Sequence, residues 1–128
     1  MILPVFGNAD NEFHDDPSPS ESTEFFYNYM YDLWFRLLPG NVKLLSEDQM
    51  RDIRKTFLRG GHYRVDLTDK ISYLALNTMY YDSEKDHHFK TGYFGYSQML
   101  WLRNQLAEDS DRKFIIGQHI YSGARYAS

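Results

Sequence analysis

The sequence predicts an α/β layered domain built around a mixed β-sheet. Short apolar runs bounded by turn residues indicate strands near both ends of the chain, helical periodicity appears between them, and one stretch alternates polar and apolar residues. The predicted order of strand, helix, helix, hairpin, helix and strand is typical of helices packed on a sheet. A length of 128 residues fits one globular domain.

The first element is predicted to be a buried strand at residues 2–6, stopped by Gly7 and Asn8. Residues 11–21 follow as a polar, acidic stretch that contains Pro17 and Pro19. Since proline interrupts regular backbone pairing, we expect this stretch to be a surface loop.

Two helices are predicted next. The first is capped by Ser22 or Thr23 and ended by Pro39 and Gly40, and its apolar residues recur at helical spacing: Phe25, Phe26, Tyr29, Met30, Leu33, Trp34, Leu37 and Leu38. The second begins at a Ser46 cap with acidic residues in its first turn and ends before Gly60 and Gly61.

The remaining elements are a hairpin, a loop, a helix and a strand. Residues 62–67 alternate in polarity, with His62 on the exposed face, and pair with 71–76 across a short turn. A loop at 80–96 precedes a helix at 97–107, and an apolar strand covers 113–117.

Composition excludes several classes of function. The formal charge is -4 and the basic residues are dispersed, so a nucleic-acid polymer is not an expected partner. No apolar run approaches the roughly 20 residues that a transmembrane helix needs. With no cysteine in the chain, any metal must be held by imidazole, carboxylate, amide or water ligands.

Polar side chains follow the first and last predicted strands directly. Asn8, Ala9 and Asp10 come after the first strand, and Gln118 and His119 come after the last one. Open α/β sheets bind ligands at the carboxyl ends of their strands, so these two loops are the candidate site. Elsewhere, His87 and His88 are adjacent residues whose side chains tend to point apart, and we interpret them as solvated loop residues.

Several segments resemble the calcineurin-like metallophosphoesterases, and the acid-sphingomyelinase-like phosphodiesterases within them. PVFGNADNE resembles the family motif G-N-[H/N]-[D/E], and FIIGQHIYSGAR resembles the later strand that precedes a metal-binding His. Between them, in the family order, lie YNYMYDLWFRLL, FLRGGHYRV, LALNTMYY and GYSQMLWLRNQL. The resemblance covers nearly all of the chain.

This resemblance implies a partial metallophosphoesterase domain of αββα layers, with residues 1–128 forming an internal fragment of one catalytic domain. It implies two divalent metal ions in the parent domain, zinc first and iron or manganese as alternatives, with Asn8 and His119 as ligands and Asp10 in support. Phosphodiesters, either small molecules or phospholipids, are the implied substrates. A secreted or lysosomal location is implied by resemblance alone.

Two departures from the family pattern bear on activity. The other metal ligands of the family, an Asp-x-His pair, a G-D-x-x-D segment and a G-H-x-H segment, fall outside this sequence. Ala9 stands where the family has His, so the usual proton donor is missing and only His14 or Asp10 could compensate. We therefore expect the isolated chain to be inactive, and no catalytic residue is assigned.

Two alternatives remain open. The parent protein is either a metal-dependent phosphodiesterase or a catalytically inactive member whose fold serves as an interaction domain, which Ala9 favours. A third interpretation concerns the gene and not the chemistry, namely that the sequence is a truncated gene product that starts at an internal methionine. Metal content would distinguish the first two.

Overall fold

The computed structural model describes residues 1–7, 10, 21–81 and 94–119 of the chain. Helices and a small mixed sheet occur together in these ranges, which confirms the predicted α/β class. In chain order the elements are α1 (Glu21–Tyr31), a π-helical turn (Asp32–Arg36), α2 (Pro39–Leu44), α3 (Glu47–Phe57), β1 (Tyr63–Asp66), β2 (Ile71–Ala75), a 3₁₀ turn (Thr78–Tyr81), α4 (Phe94–Glu108) and β3 (Lys113–Gly117).

The described strands form one mixed sheet in the order β1-β2-β3. β1 and β2 are the predicted antiparallel hairpin, in which Tyr63 lies opposite Ala75 and Asp66 lies opposite Ser72. β3 runs parallel to β2 and places Gly117 beside Ala75. The carboxyl ends of β2 and β3 therefore lie at the same end of the sheet, and His119 follows β3 there.

The predicted long first helix is divided in the structure. α1 ends at Tyr31 and continues as the π-helical turn Asp32–Arg36, while Pro39 begins α2 and does not end a helix. Leu38 has an extended backbone because a following proline disfavours helical geometry. Pro39 itself suits the first helical position, where an amide N–H would have no partner within the helix. The predicted end of the helical stretch before Pro39 is therefore confirmed, but Pro39 and Gly40 begin a further helix, α2, that was not predicted.

The second predicted helix is confirmed as α3. Its Ser46 side chain accepts a hydrogen bond from the Gln49 amide at 3.2 Å, and the Gln49 side chain accepts one from the Ser46 amide at 2.9 Å. This reciprocal pair is a capping box, which satisfies two backbone donors at the start of the helix. Ile53 and Phe57 form the buried side of α3.

Residues 2–6 do not form the predicted strand. The residues described there have no strand neighbour, and side chains of other elements take the backbone groups of Ile2, Leu3 and Pro4 as partners instead. The apolar residues still pack inward, with Phe6 fully buried and Leu3 and Val5 half-buried against the core. The apolar residues of this segment are explained by their burial in the core, which does not require the segment to pair with a strand.

Aromatic rings make up the centre of the core. The Phe57 ring lies 5.5 to 6.2 Å from six other rings, at angles that range from tilted to edge-on. These spacings are typical of favourable aromatic pairs. The six neighbours of Phe57 are Phe6, Tyr27, Tyr31, Trp34, Phe35 and Tyr63. In the described part of the chain, many of the aromatic side chains are therefore buried in the core.

Candidate functional site

The backbone that leads to the first candidate loop is held by side chains from α2 and β1. Asn41 of α2 is fully buried, accepts from the Ile2 amide at 2.9 Å and donates to the Ile2 carbonyl at 2.8 Å. The Tyr63 hydroxyl donates to the Pro4 carbonyl at 2.6 Å. These bonds satisfy backbone groups that a neighbouring strand would otherwise pair with. They therefore hold the segment that precedes Gly7 in place.

Gly7 and Asp10 close a tight turn. The Asp10 amide donates to the Gly7 carbonyl at 3.2 Å, and the Gly7 amide donates to Asp10 Oδ2 at 2.7 Å. An aspartate that hydrogen-bonds nearby backbone is a common way to stabilise a turn. One carboxylate oxygen of Asp10 is therefore used to hold the loop, and the side chain remains exposed.

His119 approaches this turn from the other end of the chain. It lies two residues after β3 and is exposed. A methyl group added to Gly7 would lie 3.3 Å from His119 Nδ1 and 3.5 Å from Asp10 Oδ2. The absence of a side chain at Gly7 therefore lets an imidazole and a carboxylate come together at one point.

Tyr73 lies between the two segments that carry this site. Its hydroxyl donates to the Leu3 carbonyl at 3.3 Å, and a methyl group added to Gly117 would lie 2.7 Å from its Cζ. The ring thus fills the space above Gly117 and reaches the N-terminal segment. This contact sets the separation between the Gly7 turn and the end of β3.

Replacing Gly117 with alanine is expected to destabilise the fold by about 1–3 kcal/mol, because the new methyl group overlaps the Tyr73 ring. Chemical denaturation of the wild type and the variant measures this change. In Tyr73→Phe the hydroxyl that meets the new methyl group is gone, so the double variant should lose less stability than the sum of the two single changes. Strict additivity of the two changes would contradict the proposed contact.

The structure places the predicted site residues unequally. Asp10 and His119 both lie close to Gly7, whereas Asn8, Ala9 and His14 lie outside the described residues. His87 and His88 also lie outside them. The prediction placed both loops at strand ends, but only His119 follows a strand, since residues 2–6 do not form one.

The donor types at this point suit a divalent cation, but their number is small. Imidazole and carboxylate are ordinary ligands of zinc, iron and manganese. Among residues 1–7, 10, 21–81 and 94–119, no group of three or more histidine or acidic side chains is arranged to hold a metal ion. His119 and Asp10 could hold part of a coordination sphere.

A buried polar network lies behind the candidate site, and sequence reasoning did not identify it. The Asn77 side chain donates to the Tyr27 hydroxyl and to the Gly60 carbonyl, both at 3.0 Å. The Tyr27 and Tyr80 hydroxyls are 2.5 Å apart. Burial raises the pKa of both tyrosines above the ordinary value, so both remain neutral at physiological pH.

Gln98 of α4 joins the same network through the backbone of Asn77. Its Oε1 accepts from the Asn77 amide at 2.8 Å, and its Nε2 donates to the Asn77 carbonyl at 3.0 Å and to the Tyr81 hydroxyl at 2.7 Å. The side chain thus pairs with the backbone as a neighbouring strand would. The segments LALNTMYY, FLRGGHYRV and GYSQMLWLRNQL meet in this network, which is a structural reason for Asn77 and Gln98.

His62 is buried, so its predicted exposed position was wrong. It is 3% exposed, its ring centroid lies 4.7 Å from that of Trp101, and its Nδ1 has no partner among the described residues. α4 covers the face of the hairpin that sequence alternation had assigned to solvent. Burial, aided by the Arg59 charge, lowers the pKa of His62 to about 4.

We expect acid to destabilise the protein through His62. Its folded pKa lies below the unfolded value of about 6.5, so the unfolded state binds the proton first and stability is lost as pH falls from 6.5 toward 4. The loss between pH 7 and pH 5 is on the order of 2 kcal/mol. Urea denaturation at the two pH values measures it. His62→Leu should show a smaller loss, and an unchanged loss would contradict this assignment.

Comparison with known proteins identified no relative of this chain. No protein-family model, curated protein or solved structure matches the chain. The class that fold and site define is accordingly a mixed α/β domain with a polar two-loop site at the carboxyl end of β3. Within the described part of the chain, no helix is long and apolar enough to span a membrane.

Proposed function

We propose that the domain to which this chain belongs hydrolyses phosphoester bonds, with Asn8 and His119 as metal ligands and Asp10 in a supporting role. The observation that carries the proposal is the meeting of the Gly7–Asp10 turn with His119. The proposal extends the residue pattern of the metallophosphoesterases to this chain.

Divalent metals bound at such a site supply a water of lowered pKa and offset negative charge on the phosphoryl oxygens. In this chain His119 offers an imidazole nitrogen on an exposed loop, and Gly7 leaves the room it needs. Asp10 orders the turn through the Gly7 amide. Ala9 has no proton to donate, so the residue that protonates a leaving group must lie elsewhere.

The substrates that we propose are small phosphodiesters or phospholipid head groups. The formal charge of -4 offers no general attraction for a phosphate polymer, which argues against nucleic acid. The donor set leaves zinc, iron and manganese as alternatives. Remaining ligands would come from outside this sequence, so we propose that the chain by itself is inactive.

The first test measures metal binding by the chain alone. Calorimetric titration with Zn²⁺ or Mn²⁺ should show weak binding that falls about tenfold or more in His119→Ala and in Asn8→Ala, because each change removes a ligand. His88→Ala removes the same kind of side chain from a loop without a proposed ligand role and is the matched control. Equal affinity in all four proteins would end the metal-site proposal.

The second test uses the longest gene product that contains this sequence. Hydrolysis of bis-p-nitrophenyl phosphate with added Zn²⁺ or Mn²⁺ should fall in His119→Ala, and Ala9→His should raise the rate by about 10²-fold or more, because it supplies the missing acid. Equal rates in the wild type and His119→Ala would exclude catalysis at this site.

A catalytically inactive interaction domain is the second candidate function. Ala9 favours it, and so does an exposed apolar stripe along α1 and the following turns. Phe25 is 76% exposed, and Tyr29, Leu33 and Leu37 follow it at four-residue spacing. A gene product that contains no metal and has no affinity for phosphate esters would support this function instead.

A further inference from the structure

A second polar cavity lies away from the candidate site. It has a volume of about 390 Å³ and is enclosed by α3, β1 and α4. Asp66 lines this cavity and pairs with Ser72 of β2. Ala75, which pairs with Gly117, lies three residues further along β2. At about 3.3 Å per residue, Ser72 and Ala75 are therefore roughly 10 Å apart along the strand. We call this cavity the α3–α4 groove, and its volume lies in the range of about 300–1,000 Å³ found for small-molecule sites.

Trp101 forms the apolar wall of the α3–α4 groove. Its indole ring is half-buried and is supported on one side by the buried His62 ring at 4.7 Å. A ring that is backed in this way loses little conformational freedom on binding a ligand. It presents a flat surface against which C–H groups or another ring can pack.

The charges in the α3–α4 groove are already paired with one another. Lys55 lies 3.7 Å from Asp52, and Arg64 lies 2.8 Å from Asp66 and 2.7 Å from Asp109. Burial alone would oppose ionisation of Asp66, but hydrogen bonds from Ser72 and Arg64 hold its pKa below the ordinary value. An anionic ligand would have to compete with these carboxylates for Arg64, so the groove favours a neutral one.

Two amide side chains and one hydroxyl give the groove unused hydrogen-bonding capacity. Gln49 and Gln105 both use their Oε1 as acceptors, from Ser46 and Arg64, and neither Nε2 has an acceptor in the described part of the chain. Thr56 donates its proton to the Ile53 carbonyl at 3.3 Å, which leaves its oxygen able to accept. Donors and acceptors side by side match hydroxyl groups, which both donate and accept.

We propose that the α3–α4 groove binds a neutral polyhydroxylated ring, either a monosaccharide or a cyclic polyol. One face of the ring packs on Trp101, and its hydroxyls take the Gln49 and Gln105 amides as donors and Thr56 and the acidic residues as acceptors. The groove is separate from the Gly7–His119 site. The proposal does not depend on phosphoester hydrolysis.

The test is a fluorescence and calorimetry titration of the chain with glucose, N-acetylglucosamine and myo-inositol, with inorganic phosphate as the anionic comparison. Trp34 and Trp101 are the two tryptophans of the chain, and Trp34 packs on the aromatic core. At least one of the three rings should give saturable binding near 1 mM, or about 4 kcal/mol. The fluorescence response should disappear in Trp101→Phe.

A matched pair of variants on α4 locates the binding. Gln105→Leu should weaken binding about tenfold, since it removes one amide donor. Asn104→Leu changes the adjacent, exposed residue, which does not line the groove, and should leave binding within about twofold. The proposal is overturned if no ring binds saturably to folded protein, if phosphate alone binds, or if both variants bind as the wild type does.

Discussion

Replacing Gly61 with alanine is expected to cost about 3 kcal/mol of folding free energy. Gly61 has a φ of 85°, a conformation that costs a residue with a side chain roughly 1–2 kcal/mol. An added methyl group would also lie 2.6 Å from the Phe6 ring and 2.9 Å from the Tyr27 ring. Overpacking of a close-packed core costs about 1–3 kcal/mol more.

The control for this prediction is Gly40→Ala. Gly40 is exposed in α2, and a methyl group there would have its nearest contact at 3.7 Å, which is ordinary packing. Alanine favours a helix over glycine by up to about 1 kcal/mol, so this variant should be as stable as the wild type or more so. The urea midpoints of Gly61→Ala and Gly40→Ala measure the two effects. Equal midpoints for these variants would contradict the packing described at Gly61.

Gly61→Ala should also disturb the candidate site. Phe6 precedes Gly7 directly, so displacement of its ring moves the turn that faces His119. Loss of the nuclear Overhauser contact between the Gly7 α protons and the His119 ring is the expected observation in folded variant protein. An unchanged contact would show that the turn is positioned independently of Phe6.

Replacing Gln98 with glutamate is expected to have an effect of similar size that depends on pH. Gln98 is fully buried, and its Nε2 supplies the bonds to the Asn77 carbonyl and the Tyr81 hydroxyl. A glutamate loses these donors and brings a carboxylate into the interior, where its pKa rises above the unfolded value of about 4.3. The folded state then binds the proton more tightly, so stability is lost as pH rises above that value. We expect a loss of about 3–5 kcal/mol at pH 7 and of about 1 kcal/mol at pH 4.

Gln105→Glu is the matched control on the same helix. Gln105 is half-buried and its Oε1 accepts from Arg64 Nη1 at 2.8 Å, so a carboxylate there faces a guanidinium. This variant should be within about 1 kcal/mol of the wild type at pH 7. Denaturation of the wild type and both variants at pH 7 and pH 4 tests this prediction. All three proteins contain His62, so its pH effect cancels when the variants are compared with the wild type. A Gln98→Glu protein that is no less stable at pH 7 than Gln105→Glu would refute the buried network.

Local rules explain which elements were predicted correctly. The Ser46 cap and Gln49 form a reciprocal pair within one turn, so α3 could be placed from adjacent residues. The hairpin and β3 were placed from alternation and apolar runs over four to five residues. The start of α4 at Phe94 precedes the predicted start by three residues, since no capping signal marks it.

The same rules explain the errors. Pro39 is compatible with either the end or the start of a helix, and the extended backbone of Leu38 decided for a start. His62 alternates correctly along the hairpin, but a helix from elsewhere in the chain covers its face. The apolar residues 2–6 are buried by other elements, whose side chains replaced the expected strand partner. The last two errors concern contacts between segments that are far apart in sequence, whereas the Pro39 error concerns adjacent residues.

The sequence by itself determined the α/β class, the β1–β2 hairpin, α3 and β3, because periodicity, capping and turn chemistry act over a few residues. Only the tertiary structure decided that Gly7 lies against His119, that Gln98 pairs with the Asn77 backbone and that His62 is buried. Those facts depend on how distant segments fill space together. Close packing in the interior responds to single methyl groups, and no local pattern encodes it.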